Sequence, residues 1–290
     1  MEKKIGIQEM TDRTALLHEQ ERKKRARTKR KWLKPYASIS PNWYLTLSIS
    51  SFLLLLAVWS LITYTGIVDP LFLPTPTDIL ISGYRLFTEF EYAYDIAATV
   101  YRVLAGFALA VAIGLPLGVL IGTFKAAEAF FEPMISFVRY MPASAFIPLF
   151  ILWIGVGDAE KVAIIFFGSF FSIVLMIAVE VAGVRRELLE AAYTLGCSDF
   201  GVLRSVVIPA SMPGIMESVR LVLGWAWTYI IVAELVAASS GIGNVILESQ
   251  RMLRTSNIIF GIVSIGVLGL LSDLILKSLI RRMFPWNYGR

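Results

Sequence analysis

Six stretches of apolar residues, each long enough to cross a lipid bilayer, constrain this chain more than any other feature of its sequence. A helix rises about 1.5 Å per residue, so the roughly 30 Å hydrocarbon core of a bilayer requires about 20 apolar residues. We predict membrane-spanning helices over residues 43–64, 95–124, 129–154, 162–181, 214–238 and 258–279. The expected fold class is an all-α integral membrane protein, because a helix in lipid satisfies its own backbone hydrogen bonds.

The composition agrees with a membrane protein and excludes several kinds of chemistry. Only 17% of the residues are charged, against about 25% in a typical soluble domain. Cys197 is the only cysteine and His18 the only histidine, so a disulfide, a Cys/His metal cluster and a histidine-based intramembrane enzyme are excluded. The sequence also lacks the P-loop pattern that binds ATP. We therefore predict a non-catalytic chain with no metal site and no cofactor of its own.

A strongly basic segment precedes the first span. Residues 22–31 are nearly all Lys or Arg, which is typical of a cytoplasmic anchor beside anionic lipid, although nucleic-acid binding is an alternative. We assign residues 1–40 to a basic cytoplasmic extension without nucleic-acid binding, and residues 41–290 to the transmembrane domain. Lys and Arg accumulate on the same side of the six spans as this segment, notably in the connection 184–213 and after residue 279. Both termini and that connection are therefore predicted to be cytoplasmic.

Glycine and proline patterns predict how two of the spans pack or bend. Gly114, Gly118 and Gly122 recur every four residues in the second span, a spacing that lets helix backbones approach closely in lipid. The third span is expected to be broken or kinked, because it contains three prolines: Pro133, Pro142 and Pro148.

The segments between the spans are predicted to be short and polar. Thr77 or Asp78 is expected to cap a short amphipathic helix that ends near Phe90. The turn before the fourth span is expected to be polar and to end at Lys161. Residues 239–257 are expected to form a polar loop.

The connection 184–213 carries the most informative motif. Residues 186–195 favour a helix, Gly196 permits a sharp turn, and Ser198 or Asp199 can cap a second short helix. Two prolines are expected to end that helix before the fifth span: Pro209 and Pro213. The result is a pair of short helices presented to a partner at one side of the membrane.

This segment resembles the cytoplasmic loop of binding-protein-dependent ABC importer permeases. The family pattern is Glu-Ala-Ala, three residues, Gly, nine residues, and then Ile-x-Leu-Pro; here Val206 and Ile208 replace the two aliphatic residues. In that family the loop inserts into a groove of the ATPase subunit. The resemblance implies that docking depends on these residues: Glu190, Ala191, Ala192, Gly196, Ser198, Asp199 and Pro209.

Four further segments look like the nitrate/sulfonate/taurine/bicarbonate subgroup: residues 72–76, 139–142, 232–235 and 281–286. This resemblance implies a type I importer permease core in the bacterial inner membrane that carries a small anion such as a sulfonate or nitrate. The implied partners are ATPase subunits that bind ATP and Mg, an extracytoplasmic binding protein and a second permease copy, with a homodimer favoured and a heterodimer left open. A secondary transporter or channel not coupled to an ATPase is the alternative.

Charged residues within the spans are candidates for the translocation path, because a charge at membrane depth is costly. We single out Arg139, Glu234 and Arg102. Arg139 and Glu234 are expected either to line the path or to form a structural ion pair with each other. Arg102 lies near enough to a span end to reach the interface instead, and Asp273 is expected to pair with Lys277 on its own helix.

Overall fold

The structure, a computed structural model, describes residues 40–287, and its regular elements in this range are all helical. Five helices are long and apolar enough to cross a membrane, or six if one bent pair counts as a single span. The predicted all-α membrane fold is therefore confirmed. The basic extension lies outside the described residues except for Ser40, and the cytoplasmic placement of the termini stays a prediction.

The chain divides into two compact units, with the boundary between Thr65 and Gly66. The first unit contains helix α1, Pro41–Tyr64, whose residues carry no charge. Hydroxyl side chains along α1 donate to backbone carbonyls of the same helix, as from Thr63 to the carbonyl of Trp59 at 2.9 Å. Such internal hydrogen bonds let a polar side chain reside in a span.

The second unit carries the remaining helices. In chain order they are α2 (Pro76–Glu89), α3 (Tyr92–Thr123), α4 (Lys125–Arg139), a 3₁₀ turn (Ala143–Phe146), α5 (Ile147–Ile154), α6 (Asp158–Ala182), α7 (Arg186–Thr194), α8 (Asp199–Val202), a π-helical turn (Leu203–Val207), α9 (Ile208–Ala237), α10 (Ile242–Arg251) and α11 (Thr255–Met283). Helix α2 begins earlier than predicted, because Thr75 rather than Thr77 or Asp78 is its N-cap. The Thr75 hydroxyl accepts from the Asp78 backbone, and the Asp78 carboxylate accepts from the Thr75 backbone.

Helices α3 and α6 run parallel in close contact, as the glycine spacing predicted. A Cβ at Gly118 would lie 2.7 Å from the Cβ of Ile177, and one at Gly122 would lie 2.5 Å from the carbonyl oxygen of Ala178. Larger residues at these positions would push the two backbones apart. Helix α9 runs antiparallel to both, and side chains from all three helices form the main apolar core.

The third span is broken, as its prolines predicted. Helix α4 and the following segment 143–154 meet at 83°. Pro142 precedes the 3₁₀ turn and Pro148 lies in the first turn of α5, where the missing backbone N–H is tolerated. The bend therefore falls near the middle of the span, at residues 140–142.

The fifth span is longer than predicted, because its helix does not break at Pro209 or Pro213. It continues from Asp199 through the π-helical turn to the end of α9. Pro209 lies in the first turn of α9 and Pro213 inside it. The wide π-helical turn before Pro209 lets the helix continue past a residue that lacks a backbone donor. The Ser211 hydroxyl donates to the Val207 carbonyl at 2.8 Å in the same stretch.

Two predicted polar connections are helical instead. Helix α10 occupies most of the segment 239–257. Helix α6 begins at Asp158, so Glu160 and Lys161 lie within a helix and both are buried, at 0% and 1% exposure. The prediction of a polar turn at these two residues was wrong, because the two side chains pair with each other and thereby tolerate burial.

Candidate functional site

The 184–213 connection leads from the end of α6 into the start of α9. We call this side of the second unit its loop end. Helix α7 ends in a Schellman motif at Gly196, whose φ is +85°. The backbone N–H of Cys197 donates to the Ala192 carbonyl at 3.1 Å, and that of Gly196 donates to the Tyr193 carbonyl at 2.9 Å. Glycine is favoured here because this left-handed conformation strains residues that carry a Cβ. The sharp turn predicted at Gly196 is thus confirmed.

Short-range hydrogen bonds fix the turn between α7 and α8. The Ser198 hydroxyl accepts from the Gly201 backbone at 3.2 Å, so Ser198 is the N-cap of α8. The Tyr193 hydroxyl donates to the Asp199 carboxylate at 3.0 Å, and this bond raises the pKa of Tyr193 above its ordinary value. Asp199 therefore bonds the two short helices to each other.

The 184–213 connection presents an exposed surface with apolar side chains. Leu195 is 84% exposed and Phe200 is 70% exposed, whereas Ala192 is buried. The other proposed docking residues are also exposed: Glu190, Ala191, Gly196, Ser198, Asp199 and Pro209. Apolar side chains exposed at the loop end are typical of a surface that a partner covers. Their role in docking stays a prediction.

The opposite end of the second unit holds a buried ionic cluster around Arg102. Its guanidinium donates to the carboxylates of Glu234 and Asp158, both at 2.6 Å, and to the carbonyl and hydroxyl of Ser240, both at 2.8 Å. Arg102 is 3% exposed. The expectation that it would reach the interface was wrong, because these acceptors hold its charge inside the protein.

Glu234 is the most buried acid of this cluster, at 0% exposure. Its carboxylate accepts from the Thr99 hydroxyl at 2.9 Å and from the backbone N–H of Gly243 at 2.8 Å, besides Arg102. The partner of Glu234 is therefore Arg102 and not Arg139. The backbone N–H of Gly241 donates to the Asp95 carboxylate at 2.6 Å, which ties the start of α10 to α3.

The second unit holds two more ionic contacts, one within helix α6 and one between helices α9 and α11. Lys161 donates to the Glu160 carboxylate at 3.0 Å, and both side chains are buried. Arg220 on α9 binds Asp273 on α11 at 2.5 and 3.1 Å, so the predicted partner Lys277 is replaced by a residue of another helix. Among residues 40–287, no group of three or more acidic, His or Cys side chains is placed to hold a metal ion.

Arg139 lies apart from the ionic cluster, at the bend of the third span. It lines a cavity of about 380 Å³ between the bend, α6 and α9, and it is the one charged residue among the described residues that line it. Hydroxyl groups also line this cavity: Tyr140, Ser144, Ser172, Thr228 and Tyr229. The Arg139 guanidinium lies 5.1 Å from the centre of the Tyr140 ring.

Sequence reasoning found some residues of these sites and missed others. It singled out Arg102, Glu234 and Arg139 because charges are rare in spans. It missed Thr99 and Ser240, because hydroxyl residues are common in spans and carry no signal until their partner is known. The pairing of Arg102 with Glu234 joins residues 132 positions apart, and no local pattern in the sequence encodes it.

Comparison with known proteins gives relatives that match most of the chain. A Brucella abortus (strain 2308) probable ABC transporter permease is 38% identical over 243 residues, covering 84% of this chain and 96% of the relative. The putative aliphatic sulfonates transport permease of Bacillus subtilis (strain 168) is 33% identical, covering 80% and 84%. The taurine transport system permease of Escherichia coli (strain K12) is 31% identical, covering 83% and 90%.

A solved structure shares the fold. The MetNI methionine ABC transporter in an inward-facing conformation aligns with a TM-score of 0.60 and 18% identity, covering 66% of this chain and 94% of the matched chain. The family described as "Binding-protein-dependent transport system inner membrane component" matches residues 114–285. The chain therefore belongs to the permeases of binding-protein-dependent ABC importers, in the group that includes the sulfonate and taurine permeases.

Proposed function

We propose that the 184–213 connection of this permease docks onto a separate ATPase subunit and couples ATP hydrolysis to solute movement. The observation that carries the proposal is the exposed pair of short helices around Gly196, which presents Leu195 and Phe200 at the loop end. A secondary transporter or a channel has no use for such a surface. The family assignment favours the importer permease for the same reason.

The continuous helix after the turn provides a way to transmit motion. Residues from Asp199 to Val236 form one helix across the second unit, interrupted only by the π-helical turn at Leu203–Val207. A displacement of α7 and α8 by the ATPase would therefore move α9 as well. Because α9 lines the cavity at Arg139 through Thr228 and Tyr229, movement at the loop end would change the shape of that cavity.

The assembly we propose contains two permease copies, two ATPase subunits that bind ATP and Mg, and an extracytoplasmic binding protein. A homodimer of permeases is the simplest arrangement. Both termini and the 184–213 connection would face the cytoplasm of a bacterial cell, with the chain in its inner membrane. This chain would contribute the path and no catalytic residue.

The solute we propose is a small oxyanion of the sulfonate class. Two relatives are named for aliphatic sulfonates and for taurine, which is itself a sulfonate. A cavity whose one charged lining residue is an arginine is chemically consistent with such a solute. The binding protein would make the first selection, and the permease would then accept what is released to it.

Co-purification from the native membrane tests the docking proposal. The tagged permease should retain an ATPase in mild detergent, and Glu190→Arg or Gly196→Asp should abolish this recovery while the permease itself remains monodisperse. Glu89→Arg is the matched control, because Glu89 is an exposed carboxylate at the end of α2, outside the 184–213 connection. Equal recovery of the ATPase with Glu190→Arg and wild type would contradict docking at this site.

A further inference from the structure

We infer that the cavity at the bend of the third span is a binding site for a small oxyanion, with Arg139 as the residue that binds its charge. The inference rests on the proposed importer function and adds the place where the permease itself holds its solute. The cavity lies between residues 138–144, α6 and α9, so three predicted membrane-spanning segments contribute its walls.

The arginines of the spans differ in whether a carboxylate of the protein neutralises their charge. Arg102 is paired with Glu234 and Asp158, and Arg220 with Glu217 and Asp273. In the part of the chain that the structure describes, Arg139 forms no ion pair; its guanidinium lies over the Tyr140 ring and within 3.4 Å of the Tyr140 hydroxyl. Glu128 and Glu132 line a second cavity together with Arg139, but neither forms an ion pair with it. A positive charge within a predicted span that forms no ion pair is costly, so an anionic ligand would supply the missing negative charge.

The chemistry of a guanidinium fits an oxyanion. Arginine presents five N–H donors in a planar fork that matches two oxygens of a carboxylate, phosphate or sulfonate group. One of these donors reaches the Tyr140 hydroxyl, at 3.4 Å. Hydroxyls of Ser144 and Ser172 line the same cavity and could donate to the remaining oxygen of the anion.

The size and walls of the cavity limit what enters. Its volume of about 380 Å³ lies near the lower end of the roughly 300–1,000 Å³ range of small-molecule sites. Ile164, Phe167 and Val232 provide apolar walls that suit a short carbon chain attached to the anionic group. The site therefore favours a small organic anion over a sugar or a peptide.

A competing explanation is that Arg139 only stabilises the end of α4. A cation in the last turn of a helix interacts favourably with its C-terminal carbonyls, and Arg139 is the last residue of α4. That role needs a positive charge but no ligand. It predicts an effect on stability and none on anion selectivity, so the two roles can be separated by a binding measurement.

The test is equilibrium binding of ethanesulfonate to the full-length permease in lipid nanodiscs, with dimethyl sulfone as the uncharged analogue. Wild type should bind ethanesulfonate and not the sulfone. Arg139→Gln should weaken binding at least tenfold, Arg139→Lys should weaken it less, and Ser172→Ala should weaken it a few-fold. Arg85→Gln is the matched control and should bind as wild type, because Arg85 is exposed on α2 and does not line this cavity.

Each outcome decides the inference. Failure of wild type to bind ethanesulfonate, equal binding by Arg139→Gln, or equal binding of the sulfone would overturn it. The importer proposal is judged separately, by recovery of the ATPase with the tagged chain. Binding that depends on Arg139 in a permease that recovers no ATPase would support the anion site and reject ATPase coupling. The reverse combination would reject the site and leave the coupling proposal intact.

Discussion

Two arginines at membrane depth, Arg102 and Arg139, occupy opposite kinds of environment. Arg102 is 3% exposed and donates to two carboxylates and to Ser240. Arg139 is exposed to a cavity and forms no ion pair with any described residue. Arg102 thus connects helices through its ion pairs, whereas the charge of Arg139 has no ion-pair partner among the described residues.

The comparison of the two arginines shows that the partners of a charge, and not its depth alone, indicate its role. A buried arginine that donates four hydrogen bonds to protein acceptors connects helices and has little left to offer a ligand. Arg102 joins α3 to the start of α6 and to the end of α9. An arginine with unused donors beside a cavity can bind and release a solute. Mutations that change one partner at a time should separate the two cases.

The largest loss of folding stability is expected when the Glu234 carboxylate, which pairs with Arg102, is replaced by an apolar side chain. Glu234→Leu would leave the guanidinium buried with only Asp158 and Ser240, and removing one partner of a buried pair typically costs about 3–5 kcal/mol of folding stability. The measurement is the unfolding midpoint of the purified permease in detergent. The double variant Arg102→Met/Glu234→Leu should recover much of the loss, because it leaves no unpaired charge. A double variant as unstable as Glu234→Leu would show that the loss comes from packing.

A smaller loss is expected when the backbone next to the same cluster is altered. A Cβ at Gly241 would lie 2.3 Å from the Glu234 carboxylate oxygen, and the φ of Gly241 is +106°. Gly241→Ala should therefore cost roughly 2–3 kcal/mol, from backbone strain and displacement of the carboxylate. Gly266→Ala is the matched control, since a Cβ there meets nothing within 4 Å and the residue lies within α11. Equal midpoints for the two variants would contradict the proposed crowding.

The ion pair between Arg220 and Asp273 should show a still smaller effect. Its side chains are 19% and 38% exposed, so solvent screens the pair more than the Arg102 cluster. Asp273→Asn should lower stability by about 1 kcal/mol, which is the upper range for partly exposed pairs. Lys277→Gln should change it less, since Asp273 bonds Arg220 across two helices rather than Lys277 on its own helix. A larger loss from Lys277→Gln would restore the pairing predicted from the sequence.

Local patterns predicted much of this molecule. Apolar runs predicted the spans, the four-residue spacing of Gly114, Gly118 and Gly122 predicted a close helix contact, and Gly196 predicted the turn of the 184–213 connection. Each of these features depends on residues close in the sequence or on a repeating spacing. These features could therefore be predicted without knowing which helices are neighbours.

The errors concern unfavourable features that another group or a local change of helix geometry offsets in the folded chain. Glu160 and Lys161 were expected in a polar turn, yet they are buried because each neutralises the other. Arg102 was expected at the interface, yet its acceptors come from residues 56 and 132 positions away. Proline also misled, because a π-helical turn before Pro209 lets the helix continue. Only the folded structure shows which buried charges find a partner and which proline a helix can accommodate.

The smallest loss of stability is expected at Arg139. Because no carboxylate loses its partner, Arg139→Gln should lower the free energy of unfolding by no more than an ordinary exposed substitution does, about 0.5 kcal/mol. The measurement is the same detergent unfolding used for Glu234→Leu, made without any anion present. A loss as large as that of Glu234→Leu would mean that Arg139 is a structural residue like Arg102. A small loss combined with weaker ethanesulfonate binding would separate the two arginines by function, since stability and solute binding would then depend on different charges.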